Sequence, residues 1–206
     1  MSTNNHTNHY CYLLQSESST SKTYFGYTVD PSKRINQHNG MIQGGASYTS
    51  KSRPWKFIAV VHGFKSESDG LKFEWALQHP KKSKLFRNAL VGSDGSSIHG
   101  SSMHIARILD SRKGVEAKLR LLMILLCESL YKHEELTIFF FENQYKHMFE
   151  QMIHQNATAE YSSDSSTDSV EIVTEHRGTQ RKWCSELPIG MKAVLINEIT
   201  EVSRHL

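Results

Sequence analysis

Cysteine is scarce in this chain and scattered: Cys11, Cys127 and Cys184 offer no C-x-x-C metal knuckle, and an odd count argues against a disulfide framework. Long apolar runs are equally lacking. The longest, LRLLMILLC, falls far short of a membrane span, and the opening MSTNNHTNHY has no apolar stretch to read as a signal peptide. These absences leave the expectation of a soluble protein in a reducing compartment. The histidines His6, His9, His99, His104 and His133 lack metal-ligand spacing and read as ordinary. The 206 residues, 38% of them hydrophobic, suffice for one folded domain with appendages. The net charge of +3 says little by itself, but its distribution is uneven. Between Lys22 and Arg87 twelve basic residues face four acidic ones, an excess of eight.

The segments YCYLLQ (10–15) and TYFGYT (23–28) read as strands of a hairpin closed by the loop SESSTSK. Asp30 before Pro31 is an N-cap followed by proline at the first helical position, so a helix is expected from Pro31 to Asn39, ended by Gly40. A glycine- and serine-rich loop leads to WKFIAVVHGF (55–64), whose continuous apolar middle suggests a strand buried on both faces. Ser66 starts a second helix running to His79 and stopped by Pro80, with Leu71, Glu74, Trp75 and Gln78 on one face. KKSKLFRNAL, a GSDGSSIHGSS loop and two helices over 102–131 follow, then LTIFFF as a strand and ENQYKHMFEQMIH as a helix. The LRLLMILL stripe reads as core. Residues 155–180 are an acidic, serine-rich linker, too poor in apolar surface to offset the entropy of ordering. A last short helix is expected within 181–206. The resulting division is a disordered N-terminus (1–9), an α/β domain (10–92), a mostly helical extension (93–154), the linker and the short C-terminal segment.

A tyrosine strand, a hairpin, Tyr-x-Gly, an arginine eight further on, a histidine four after that and a helix glutamate near 74 form a pattern that resembles the GIY-YIG endonuclease family. Tyr10-Cys11-Tyr12 and Tyr24-Phe25-Gly26 stand for its two signatures, followed by Arg34 and His38. The blocks YLL, RINQHNG, GGA, RPW, VVHGF and FEWALQHP occur in the order of its Slx-type subgroup, the catalytic subunits of a eukaryotic structure-specific endonuclease that cuts branched DNA. The resemblance covers roughly residues 10–150. It implies a three-stranded mixed sheet flanked by helices, a metal-binding role for Glu74, and deprotonation of the attacking water by Tyr12 or Tyr24. We favour Tyr12 as base, with Tyr24 orienting water or phosphate.

The residues make chemical sense in those roles. Phosphodiester hydrolysis needs an activated water, neutralised phosphate oxygens and a stabilised departing 3′ oxygen. Arg34 and His38, four apart, share one helix face, and the helix N-terminus adds a positive dipole end. Arg34 would clamp the transition-state oxygens. Glu74 beside Leu71 and Trp75 is an expensive charge unless a hard cation, Mg²⁺ or Mn²⁺, pairs with it. A phenol of pKa about 10 needs the help of that cation and of Arg34 to act as base. Gly26 is expected to be structural, a side chain there obstructing the approach to helix and ligand. Lys33, Lys51, Arg53, Lys81, Lys82 and Lys84 are candidate nucleic-acid contacts. The last three equally suit a solvated helix or a nuclear-import patch.

Three departures qualify the resemblance. Tyr10 stands where the first signature has glycine, and Tyr48 where the subgroup has arginine in its GGA-x-x-T stretch, removing a phosphate contact that Lys51 or Arg53 would have to replace. The family's subgroup carries a cysteine and histidine zinc module, and beyond residue 130 this sequence has Cys184 as its one cysteine, so no zinc is expected and scaffold dependence is not carried over. The expected function is hydrolysis of structured nucleic acid in the nucleus or also the cytoplasm, branched or flapped DNA first, with single-stranded DNA or RNA open. A non-catalytic binding module on the same fold, or an adaptor using the helical 102–153 region for a protein partner, are the rivals.

Overall fold

A computed structural model of the protein describes residues 8–44, 47–90, 114–128, 131, 136–158 and 192–195. The loop and first helix expected within 91–113, the linker beyond 158 and Cys184 lie outside the described residues.

Strand β1 (Tyr10–Ser16) is buried along its whole length because it is flanked on both sides. On one edge runs β2 (Thr23–Thr28), antiparallel, with Tyr12 opposite Gly26 and Leu14 opposite Tyr24. On the other runs β3 (Trp55–His62), also antiparallel. A register shift between Leu13 and Leu14 inserts an extra β3 residue, the usual effect of a bulge. The apolar middle of β3 is buried as its continuous hydrophobic run predicts.

The α/β class is as expected, but the sheet does not end at three strands. Strand β4 (Thr137–Phe140) pairs antiparallel with β3, and β5 (Lys192–Leu195) pairs parallel with β4, giving the order β2-β1-β3-β4-β5. The segment expected to end in a short helix thus contributes a strand. Four residues, KAVL, carry too little pattern to announce themselves; an exposed edge of β4 supplies the pairing.

The sheet faces two cores. One gathers Cys11, Leu13, Phe25, Ala59, Val61 and Ile138 under the helices that follow β3. Those helices are α2 (Glu67–Gln78), α3 (Lys84–Leu90), α4 (Val115–Glu128) and α5 (Asn143–Thr158), the last extending into the stretch read as linker. None of the described helices is long and apolar enough to cross a membrane. The smaller core joins Tyr10, Tyr12, Leu14, Trp55, Phe57, Val60 and Phe139, with Ile35 of helix α1 (Pro31–Asn39) packed against it.

Both expected caps are present. Asp30 Oδ1 accepts from Lys33 N at 2.9 Å, and Gly40, at φ 76°, lets its own amide and that of Met41 return to the carbonyls of Gln37 and Asn36. In α2 the Ser66 hydroxyl accepts from Asp69 N. The face that α2 buries differs from the expected one. Gly70, Phe73, Ala76 and Leu77 are buried, whereas Leu71 and Trp75 are 43% and 46% exposed. Helix-on-sheet contact selects this face because small Gly70 and Ala76 permit close approach; a Cβ on Gly70 would lie 2.8 Å from the Tyr27 ring. Trp75 stacks instead on His79.

Candidate active site

Helix α1 is polar, and the side chains it buries are Pro31 and His38. Such a helix gains little from hydrophobic burial, so polar ties must place it. Asn39 Nδ2 donates to the Trp55 carbonyl at 3.0 Å while Asn39 Oδ1 accepts from Trp55 N at 2.7 Å. Arg53 Nε donates to the His38 carbonyl at 2.6 Å, its guanidinium lying over Gly40. Arg53, a candidate nucleic-acid contact by sequence, is here occupied with closing the helix end.

These ties bring α1 over the face of the sheet that carries Tyr12. The Tyr12 ring, 1% exposed, lies across its strand partner Gly26. A Cβ at residue 26 would fall inside contact distance of the phenol oxygen and 2.9 Å from Cε2. The group that Gly26 admits is this ring, a contact that the sequence-based reason, obstruction of helix and ligand, did not include.

Around the Tyr12 hydroxyl the polar groups form a chain. Arg34 Nε donates to Tyr12 Oη at 3.1 Å, Tyr12 Oη and His38 Nε2 are 2.8 Å apart, and His38 Nδ1 and Thr49 Oγ1 are 2.9 Å apart. Burial, with the positive charges of Arg34 and Arg53, lowers the His38 pKa to about 4, so its imidazole is neutral near pH 7. Arginine has no acceptor. Tyr12 therefore accepts from Arg34, while the directions of the Tyr12–His38 and His38–Thr49 bonds follow the imidazole tautomer. Burial raises the Tyr12 pKa well above the phenol range despite the opposing Arg34 charge. Arg34 is fixed further by Nη1 bonds to Gln37 Oε1 at 3.0 Å and to the Gly44 carbonyl at 3.2 Å.

Tyr24 extends the cluster outward. Its ring centroid is 5.3 Å from that of His38 and 6.4 Å from that of Tyr12, and Tyr48 stacks on it at 6.1 Å and 28°. Glu74 belongs to the same electrostatic site: burial raises the Tyr12 and Tyr24 pKa values and the Glu74 charge adds to it, while His79, Gln78 and Arg34 pull the Glu74 pKa downward. Burial wins nonetheless, and the Glu74 pKa is raised. Gln78 Nε2 holds the carboxylate while also donating to the Phe25 carbonyl at 2.9 Å.

Tyr12, Tyr24, Gly26, Arg34, His38 and Glu74 therefore converge. Lys33 and Lys51 are exposed on the elements that carry Arg34 and Thr49. Of the basic cluster after Pro80, Lys82 and Lys84 line a separate groove of about 980 Å³ with Phe64, Leu71 and Trp75, and none of the converging residues lines it. Sequence reading missed Thr49 and Gln78 as site groups. Gln78, four residues after Glu74 on one helix, was legible as its partner; Thr49, in a short 3-10 helix (Ser47–Ser52) within a stretch that reads as loop, carried no signal.

Comparison with known proteins shows what the cluster is similar to. Residues 8–87 match the GIY-YIG catalytic domain family, and the convergent cluster lies within the matched residues. Over 146 residues the chain is 33% identical to a structure-specific endonuclease subunit SLX1 homolog of Cryptosporidium parvum, covering 70% of this chain and 35% of that protein. It is 51% identical over 75 residues to the subunit slx1 of Schizosaccharomyces japonicus, covering 36% and 28%, and 37% identical over 150 residues to SLX1 of Cryptococcus neoformans, covering 71% and 29%. The matches thus span about a third of these curated relatives' length.

Proposed function

We propose that the chain is a metal-dependent endonuclease hydrolysing phosphodiester bonds in structured nucleic acid, branched or flapped DNA first, and acting in the nucleus. The observation that carries this reading is the single phenol, Tyr12, bonded at once to Arg34 and His38 in a site that also feels Glu74. With the His38 proton on Nδ1, the Tyr12 hydroxyl donates to Nε2 and keeps a lone pair for a water. A water giving its proton to Tyr12 as Tyr12 passes its own to His38 Nε2 leaves the phenol neutral throughout, which avoids the unfavourable buried phenolate. The His38 pKa of about 4 makes it a reluctant acceptor in the resting site. Negative charge building on a bound phosphate opposes the two arginine cations that depress it, and so favours the transfer. Arg34 supplies charge to the non-bridging oxygens, and Tyr24 orients water or phosphate.

The donor set fits a hard cation. Among the described residues no cluster of three His, Cys, Asp or Glu side chains forms, and Glu74 makes no ion pair there. A half-buried carboxylate of raised pKa suits Mg²⁺ or Mn²⁺ held by one protein oxygen and several waters. Such an ion would stabilise charge on the phosphate and the departing 3′ oxygen. The SLX1 names of the relatives favour branched DNA as first choice. The test is a cleavage panel with Mg²⁺ or Mn²⁺ over labelled flap, four-way junction, single-stranded DNA and RNA. Arg34→Ala and Glu74→Gln are each expected to lower the rate by about 10²-fold or more, from the loss of one transition-state contact. Wild type that binds these substrates and never cuts them would replace this reading with a binding module.

A further inference from the structure

Three of the six large hydrophobic side chains exposed among the described residues, Met41, Ile42 and Tyr48, lie on the connection from α1 to β3. That connection is tied to the site on both sides of Tyr48. Arg34 holds the Gly44 carbonyl and His38 is bonded to the Thr49 hydroxyl, so Gly44 and Thr49, on either side of Tyr48 in sequence, are both held by residues that surround Tyr12. Tyr48 itself is 68% exposed, yet its ring is stacked on Tyr24 at 28°, and Tyr24 packs against His38. A large aromatic ring backed on one side by a fixed phenol, and otherwise mostly in solvent, is a surface on which another flat ring gains contact at little entropic cost. A guanidinium at this position would reach for phosphate. A phenol carries no charge to offer a phosphate and instead offers a π-face.

Resting on the nuclease reading above, we propose that Tyr48 is a stacking platform for an unpaired nucleobase beside the scissile phosphate. Tyr48 is then a specificity-determining residue, selecting substrates with an unstacked nucleotide at the branch over continuous duplex. A base inside a duplex has both faces covered by its neighbours, whereas a base at a flap junction has one to give. Stacking is tolerant of base identity, so the selectivity is for structure and not sequence.

The experiment uses the full chain and a flap DNA carrying 2-aminopurine as the first unpaired nucleotide, with binding followed by fluorescence in the Glu74→Gln background to prevent cutting while keeping the Arg34 bond to Gly44. Tyr48 is expected to quench the probe. Tyr48→Ala is expected to abolish the quench and weaken flap binding by about 5- to 150-fold, the range for losing one base–aromatic stack, with duplex binding unchanged and Tyr48→Phe behaving as wild type. Unaltered flap affinity and quench in Tyr48→Ala, or equal losses on flap and duplex, would overturn the proposal. Cleavage by the otherwise wild-type chain separates the two readings. Quenching without cleavage in any metal refutes the nuclease and keeps the platform, while cleavage indifferent to Tyr48→Ala across flap and duplex refutes the platform and keeps the nuclease.

Discussion

Gly26→Ala adds one methyl group to a strand and tests the central contact of the site. Gly26 lies in extended strand, where alanine is ordinarily better than glycine by roughly 0.5–1 kcal/mol, so secondary-structure preference forecasts a slight gain. The position of Tyr12 forecasts the reverse. The new Cβ would occupy the volume of the phenol ring, which is itself nearly fully buried and bonded to Arg34 and His38. Forcing a side chain out of a packed site costs about 1–3 kcal/mol, and a buried His38 nitrogen losing its partner costs a further 1–3 kcal/mol or so. The net expectation is a loss of about 3 kcal/mol, or roughly 6–12 °C in melting temperature for a chain of this size. Displacing Tyr12 by an ångström should also reduce cleavage about 10²-fold. The assay is a thermal melt and a cleavage rate for Gly26→Ala, Tyr12→Ala and the double variant. In the Tyr12→Ala background the methyl has room, so adding Gly26→Ala should there be neutral or stabilising. A Gly26→Ala protein that melts at or above wild type and cuts normally would refute the argument.

Further outcomes follow from the same cluster. Because the folded His38 pKa is lowered to about 4 from an ordinary 6.5, the unfolded chain takes up the proton first as pH falls; His38 therefore removes stability between about pH 6.5 and 4, by up to about 3 kcal/mol. Denaturant titrations at pH 7 and 4.5 should show a smaller acid loss for His38→Gln than for wild type, and an identical loss would show that His38 is not held neutral. Asn39→Ala should lower stability by about 1–3 kcal/mol and speed amide exchange at Trp55, whose N–H loses its partner; unchanged exchange would deny that Asn39 anchors α1. Tyr145→Phe removes a buried bond from α5 to Gln15 and should destabilise by about 1 kcal/mol in thermal melts, without altering cleavage.

What the sequence disclosed and what it hid divide along one physical line. Helix ends were legible because a cap is settled within four or five residues: Asp30, Pro31 and Gly40 each act on their own neighbours. The joint position of Arg34 and His38 on one face was legible for the same reason. The buried face of α2 was not, since a hydrophobic count weights Leu71 and Trp75 above Gly70 and Ala76, whereas contact with the sheet rewards smallness. Nor was the reason for Gly26, because Tyr12 and Gly26 are fourteen positions apart in sequence and meet only once the β1–β2 register is set. That pairing changes how the two tyrosine signatures should be understood. A glycine two residues after Tyr24 is there for Tyr12, so the second signature carries the space that the first signature's hydroxyl needs to reach α1. Slipping the hairpin by one residue would turn Tyr12 to the other face and leave Arg34 and His38 without their shared phenol. The pairing register, more than the list of polar residues, is therefore what makes this site.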